Sequence, residues 1–276
     1  MTHDIWLQVF LQNLYATFLH DSLRYIIGAG GTYLIINVAL ARWLKARKIQ
    51  DRAPSNGQIT RELLTSARTV LIFTASGTSI AMMEYVGIAR IYFAVADYGL
   101  AYLILSTVLI VLAHDAYFYW SHRALHHPKV FRKWHMLHHK SHVPTPFTSY
   151  AFDWEEAVIN AVFFVVWIVL IPMHPIALLS FLVHMMIRNT LGHCGYEVFP
   201  ARKDGRPLIG WMTTVTHHDL HHSQGRWNMG FYFTWWDRWM GTEHPEYLQT
   251  FKRVKKRDIS SRPAAGSTVE APPISP

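Results

Sequence analysis

Residues 98–142 read YGLAYLILSTVLIVLAHDAYFYWSHRALHHPKVFRKWHMLHHKSH. The first 16, 98–113, carry no formal charge, whereas 114–142 hold eight of the chain's 18 histidines. An apolar run therefore leads straight into a histidine-rich segment, which predicts a long helix in apolar surroundings that delivers imidazoles at its end. HRALH sets His122 and His126 four residues apart, and HMLHH sets His135, His138 and His139 at i, i+3 and i+4. On a helix each set falls within an arc of about 100°, so its rings converge on one face. Asp115 lies seven residues before His122 and eleven before His126. These offsets rotate by only about 20° either way, so the acid shares their face, where it is expected to orient an imidazole through its second N–H.

A second cluster lies a hundred residues on. HDLHH repeats the i, i+3, i+4 pattern with His218, His221 and His222, and Asp219 sits inside it as a further second-layer candidate. Protonated together such histidines would repel, and buried neutral rings need partners. A metal meets both demands by taking one lone pair from each. Eight nitrogen ligands are too many for one tetrahedral zinc and suit two metals close together. HExxH is absent, which removes the general base of the zinc proteases, and the Glu-x-x-His of carboxylate-bridged di-iron bundles is absent too. Imidazole suits Fe, Zn, Cu and Ni alike, so the residues leave the metal open.

Other charge-free runs flank these clusters: 25–41, 69–83 and 157–187, the last broken by Pro172 and Pro175. A straight span needs about 20 residues and at least about 17. Membrane-embedded helices are expected at 25–41, 69–88, 98–119, 157–171 and 176–195. Residues 5–19 form either an interfacial helix or part of a further span. Hydrophobic residues make up 51% of the 276 and charged ones 16%, below the ~25% usual in soluble domains. With these spans, 24 of the 26 Lys and Arg fall on the side of the histidine loops and only Arg24 and Arg90 on the other. The positive-inside rule then places the histidines and the C-terminus in the cytosol. The net charge of +8 suits an anionic membrane surface, and no nucleic-acid partner is expected. One cysteine excludes a disulfide framework and a Cys-based zinc finger. KRVKKR (252–257) reads as a solvated charge run or a headgroup contact, and the Pro/Ser/Ala-rich tail from 258 as disordered.

HRALHH, WHMLHH and THHDLHH, with HCGYE (193–197) and NMGFYFTWWDRWMGT (228–242), resemble the fatty acid hydroxylase/sterol desaturase superfamily. That resemblance implies an all-α integral membrane protein: four to five embedded helices in two hairpins, and a cytosolic helical cap holding a dimetal site. It implies two irons, O2 as co-substrate, a separate ferredoxin or cytochrome as electron donor, and hydroxylation or desaturation of a lipid C–H bond. The ligands it implies are His122, His126, His135, His138, His139, His218, His221 and His222, with His193 as a ninth. Asn189 stands one helical turn before His193, where some members have a further histidine; as a second-layer candidate it binds through its amide oxygen, through a water, or not at all. His127, His142 and His217 adjoin the boxes and read as outer-layer or surface groups. Glu156, Glu197 and Asp237 are either second-layer or ordinary packing acids. His114, His174 and His184 lie in apolar runs and read as core or interfacial groups. The expected organisation is a membrane region over 1–98, a hydroxylase-like domain over 99–250, and a basic stretch and tail over 251–276. A membrane zinc hydrolase and a metal transporter or sensor are the competing readings.

Overall fold

The structure, a computed structural model, describes residues 3–257; the tail expected to be disordered lies outside them. Among the described residues the chain is helical, with isolated bridges but no strand. Five long helices make the body: α1 (His3–Tyr25), α2 (Asn56–Tyr85), α3 (Gly99–Leu125), α6 (Trp154–Leu170) and α7 (Pro175–Gly192). Short helices gather at one end: α4 (Pro128–Trp134), α5 (Met136–His139), α8 (Val215–Gln224), α9 (Trp235–Trp239) and α10 (Tyr247–Lys256). Two helices, α3 and α7, are long and apolar enough to cross a membrane.

Local chemistry sets the boundaries. Ser55 Oγ accepts the Gln58 N–H at 3.1 Å and starts α2. His174 Nδ1 accepts the Ile176 N–H at 3.1 Å, with Pro175 as the first residue of α7. Thr214 Oγ1 accepts the His217 N–H at the start of α8, and Gly225, at φ 64°, ends it in the left-handed region. Far from the short helices, the turn after α2 is tied to the turn between α6 and α7. Arg90 N–H donates to Ile168 C=O and Met173 N–H to Arg90 C=O, each at 2.8 Å. His174 Nε2 meets Phe93 C=O at 3.0 Å in the same corner. All the histidines expected to bind metal lie at the opposite end.

The core runs between the long helices through Ile110, Phe163, Ile168, Met173 and Phe181. Their outward faces stay apolar, for instance Leu7, Leu11 and Leu19 on α1 and Leu100, Ile104 and Leu105 on α3. The first expected span, 25–41, falls in the later part of a longer helical stretch. Apolar helix begins at His3 rather than at 25, runs through α1, and continues as π-helical turns over Ile26–Gly30 and Tyr33–Ala39. Arg24, expected to end a span, lies within this helix with Nη2 2.8 Å from Asp21 Oδ1. A charge neutralised inside the packing does not end a helix, so a charge-free run does not mark where this helix begins.

The basic stretch also differs from expectation. Residues 252–256 belong to α10, whose Tyr247, Phe251 and Val254 are buried, the first two against Leu220 of α8. Arg47 Nη1 donates to the carbonyls of Val254, Lys255 and Arg257 and so caps the helix end. KRVKKR is the last turn and end of an amphipathic helix, with Val254 turned inward and Arg253 and Lys256 outward, and the expected boundary at 250/251 falls inside that helix.

Candidate metal centre

Nine histidines meet in two groups, His122, His126, His135, His139 and His221 in one, and His138, His193, His218 and His222 in the other. Within each group the ligand atoms lie within 4.8 Å of one another, and all nine residues are buried except half-buried His126. Helix geometry explains the division. In each HxxHH the i and i+4 rings go to one group and the i+3 ring to the other. His135 and His139 enter the first group while His138 enters the second. His218 and His222 enter the second while His221 enters the first. The expected single convergent face per box is therefore two faces, and each box spans both groups. The i and i+4 pair of α3, His122 and His126, completes the first group. Its counterpart in the second is Asn189 and His193 at the end of α7, so the second group has one imidazole fewer.

The donor set fits metal ions. His122 and His135 bring their Nε2 atoms to 3.0 Å, His126 and His139 to 3.1 Å, and His193 and His218 to 2.8 Å. Metal–imidazole bonds of about 2.1 Å at right angles would set ligand nitrogens about 3.0 Å apart. His221 Nε2 and His222 Nε2 are buried with no hydrogen-bond partner. Leaving such an atom unsatisfied costs about 1–3 kcal/mol, which a shared cation removes. Burial and mutual repulsion hold His135, His138, His139, His218, His221 and His222 well below the usual imidazole pKa. Burial likewise takes His126 to about 2 and His193 to about 4, the latter against the opposing pull of the Asn189 carbonyl. Neutral rings keep the lone pairs a metal requires.

The opposite ring nitrogens are held by backbone carbonyls. His122 Nδ1 meets Met229 C=O at 2.9 Å, His221 Nδ1 meets Trp227 C=O at 2.7 Å, and His193 Nδ1 meets Asn189 C=O at 2.7 Å. An N–H given to each carbonyl leaves Nε2 free to face the site. His135 Nδ1 instead lies 2.8 Å from Glu156 Oε2, a close approach outside good hydrogen-bond alignment. Glu156 is thus the acid beside a candidate ligand. Only its position near the boxes hinted at this, and that alone could not separate it from a packing acid.

Asp115 acts one layer further out than expected. Its Oδ1 accepts the N–H groups of Tyr232 and Phe233 at 2.8 and 3.3 Å, and Oδ2 accepts Trp235 Nε1–H at 3.1 Å. It meets no imidazole, because the 227–237 segment lies between the acid and the rings. Asp237 pins the same segment, accepting the Met229 and Gly230 N–H groups at 2.7 and 2.9 Å. His217 Nε2, 3.3 Å away, and these donors hold the Asp237 carboxyl below its usual range despite its burial. A Cβ on Gly230 would fall 2.6 Å from Phe233 C=O, so only glycine fits. The two acids therefore act on the metal rings through the carbonyls of a strap. Asp219 also points elsewhere and binds Gln50 Nε2 at 3.1 Å. Asn189 Nδ2 donates to Ser149 C=O at 2.8 Å, so its backbone, not its amide, orients a ring. Glu197 accepts the Thr216 N–H at 2.8 Å at the start of α8, where an anion complements the helix dipole.

The remaining histidines stay outside both groups. His127 Nδ1 accepts the Lys129 N–H, His142 is exposed, and buried His217 stacks edge-on to Tyr247. His114 lies among Phe163, Phe181 and Tyr232, and His184 beside Tyr232. Beneath the groups a cavity of about 220 Å³ opens between α1, α2, α3, α6 and α7. Phe118, Phe152, Asn189 and Phe231 form its wall towards the histidines. The Phe118 ring is 4.9 Å from that of His122, and the Phe152 ring 5.3 Å from that of His138. Trp167, Ile168, Leu178 and Leu182 line its apolar far part.

The fatty acid hydroxylase family matches residues 107–242, which hold all nine histidines and the strap. Delta(7)-sterol 5(6)-desaturase ERG3B of Gibberella zeae is 29% identical over 224 residues, covering 80% of this chain and 68% of that protein. Lathosterol oxidase of Mus musculus is 29% identical over 195 residues, 70% of this chain and 64% of that protein. Lathosterol oxidase of Homo sapiens is 27% identical over 183 residues, and the chain spans 60% of its length. No solved structure matches.

Proposed function

Residues 107–242 belong to the fatty acid hydroxylase/sterol desaturase superfamily, and from that premise we propose that this protein is a membrane-bound oxidoreductase. It uses two irons and O2 to hydroxylate or desaturate a C–H bond of a lipid, of sterol, fatty acyl or related type. The observation that carries this reading is the pair of buried histidine groups one residue layer above an apolar cavity. His122, His126, His135, His139 and His221 would hold one iron, and His138, His193, His218 and His222 the other. Bound there, the irons supply O2 activation and the redox chemistry that an unactivated carbon requires. Strap carbonyls and the Asn189 carbonyl fix the ring tautomers. Phe118, Phe152 and Phe231 keep bulk water from the site and press the lipid against its mouth. Asn189 and Phe231 also wall a small void lined by His193 and His218 of the second group.

The apolar outer faces of α1 and α3 support embedding of the long helices, in a multi-pass arrangement with the histidine end in the cytosol. The basic residues at that end support the orientation. A separate ferredoxin or cytochrome delivers the electrons. Ligands at the ends of the helices, rather than at mid-depth, speak against a transport pathway. Purified without chelator, the protein should hold about two metals per chain, and iron-loaded protein with a reduced donor should consume O2 and oxidise a lipid. Roughly one tightly bound metal, or turnover that survives complete iron removal, would overturn the reading.

A further inference from the structure

Most of the cavity wall is hydrocarbon, but one corner is polar. Asp21, Arg24 and Tyr150 meet there. Asp21 is 5% exposed, and its Oδ1 takes Arg24 Nη2 at 2.8 Å, with His20 Nδ1 at 3.6 Å on the same oxygen. Its Oδ2 accepts no hydrogen bond among the described residues. Gly77 lies beside it on the cavity wall, and a Cβ there would come within 4.0 Å of that oxygen, so the glycine leaves Oδ2 open. Arg24 Nε and Tyr150 Oη are buried without a well-aligned hydrogen bond, and the Arg24 guanidinium lies beside the Tyr150 hydroxyl. Tyr150 is 1% exposed. An open carboxylate oxygen and two poorly satisfied donors thus meet at one corner of a mostly apolar space.

Leaving such groups poorly paired is costly, and embedded ionisable residues are retained where they meet a ligand or one another. Here they meet one another on one side only. We propose that this corner binds the hydroxyl group of the lipid that enters the cavity, an inference that rests on the lipid-oxidising reading above. A hydroxyl both gives and takes a hydrogen bond, so it can donate to Asp21 Oδ2 and accept from Arg24 Nε or Tyr150 Oη. A carboxylate would place its charge against Asp21, and an all-hydrocarbon lipid would satisfy none of the three. The corner also sets register. The Tyr150 ring is 6.4 Å from that of Phe152, whose ring is 5.3 Å from that of His138. The hydroxyl is thereby anchored two ring contacts from the second histidine group, while the apolar tail lies towards Trp167 and Leu182. The carbon presented to the metals is one near the polar end of the lipid.

Binding of tritiated cholesterol to the detergent-purified, metal-loaded full chain tests this without turnover. Cholesterol should compete about ten-fold better than its methyl ether and better than palmitate. Asp21→Asn should narrow the preference over the ether, and Tyr150→Phe should weaken the binding of cholesterol and ether alike, while bound metal stays unchanged. If Asp21→Asn does not fold, Tyr150→Phe, which removes a single oxygen and should weaken both ligands, carries the test with the wild-type preference. Absence of cholesterol binding, equal competition by the ether, stronger competition by palmitate, a full preference in folded Asp21→Asn, or unchanged binding in Tyr150→Phe would each overturn the proposal. None of these results bears on oxidation. Conversely, an intact hydroxyl preference with no O2-dependent oxidation of any lipid would remove the oxygenase reading and leave this subsite standing.

Discussion

His138 is the i+3 ring of its box and the only member of that box in the second histidine group. His138→Ala therefore removes one of four nitrogens from one group and none from the other. Folded His138→Ala protein should keep about one metal of two and lose turnover, and metal analysis beside an O2-consumption assay checks both. His174 is the contrasting case. It caps α7 and meets Phe93 C=O at the end of the bundle far from the metals. Its loss should cost about 1 kcal/mol of stability, as helix caps typically do, while metal content stays at the wild-type level. A thermal melt and the same metal analysis separate the two effects. Metal loss in His174→Ala equal to that in His138→Ala would refute the placement of that turn.

Between single side chains and the bundle stands the strap over 227–237. It supplies the carbonyls that set His122 and His221, and it is itself held by Asp115 from α3 and by Asp237 from α9. An asparagine at 237 would turn an NH2 towards the N–H of Met229 or Gly230, two donors facing one another. Asp237→Asn should lower metal affinity or activity by ~10–100-fold with every histidine in place, the usual loss when a group behind a ligand is removed. Titration of iron into metal-free protein measures it. Unchanged iron affinity and activity would show that the strap carbonyls do not depend on this carboxylate. The α8 helix shows the same dependence on neighbours. Its residues from Val215 to His222 are all buried, so Glu197, Thr214 and α10 together decide where four histidines lie.

Taken together, the five long helices put every candidate ligand at one end and the Arg90 turn at the other. With Arg24 paired inside the bundle, Arg90 is left as the basic residue of the far side, which sharpens the charge asymmetry. A cysteine introduced at Lys140 should be protected from membrane-impermeant maleimide in intact cells and react after permeabilisation. Cys194 is buried and gives little background. Labelling in intact cells would reverse the proposed orientation and with it the side from which electrons arrive.

Helical fold class and the histidine boxes were legible in the sequence, because spacing along a helix is a local property. The apolar runs over α3 and α7 were legible for the same reason. Partners distant in the chain were not. Asp115 lies on the face of His122 and His126, as its spacing requires, yet its hydrogen bonds go to residues 117 to 120 positions away. Glu156 looked like any acid at a helix start until packing brought it to His135. Arg24 looked like the edge of a span because a charge count cannot see that Asp21 neutralises it. Spacing decided which rings could converge. Only packing decided that i and i+4 rings serve one group and i+3 rings the other, because a ring's partner depends on which helix lies opposite.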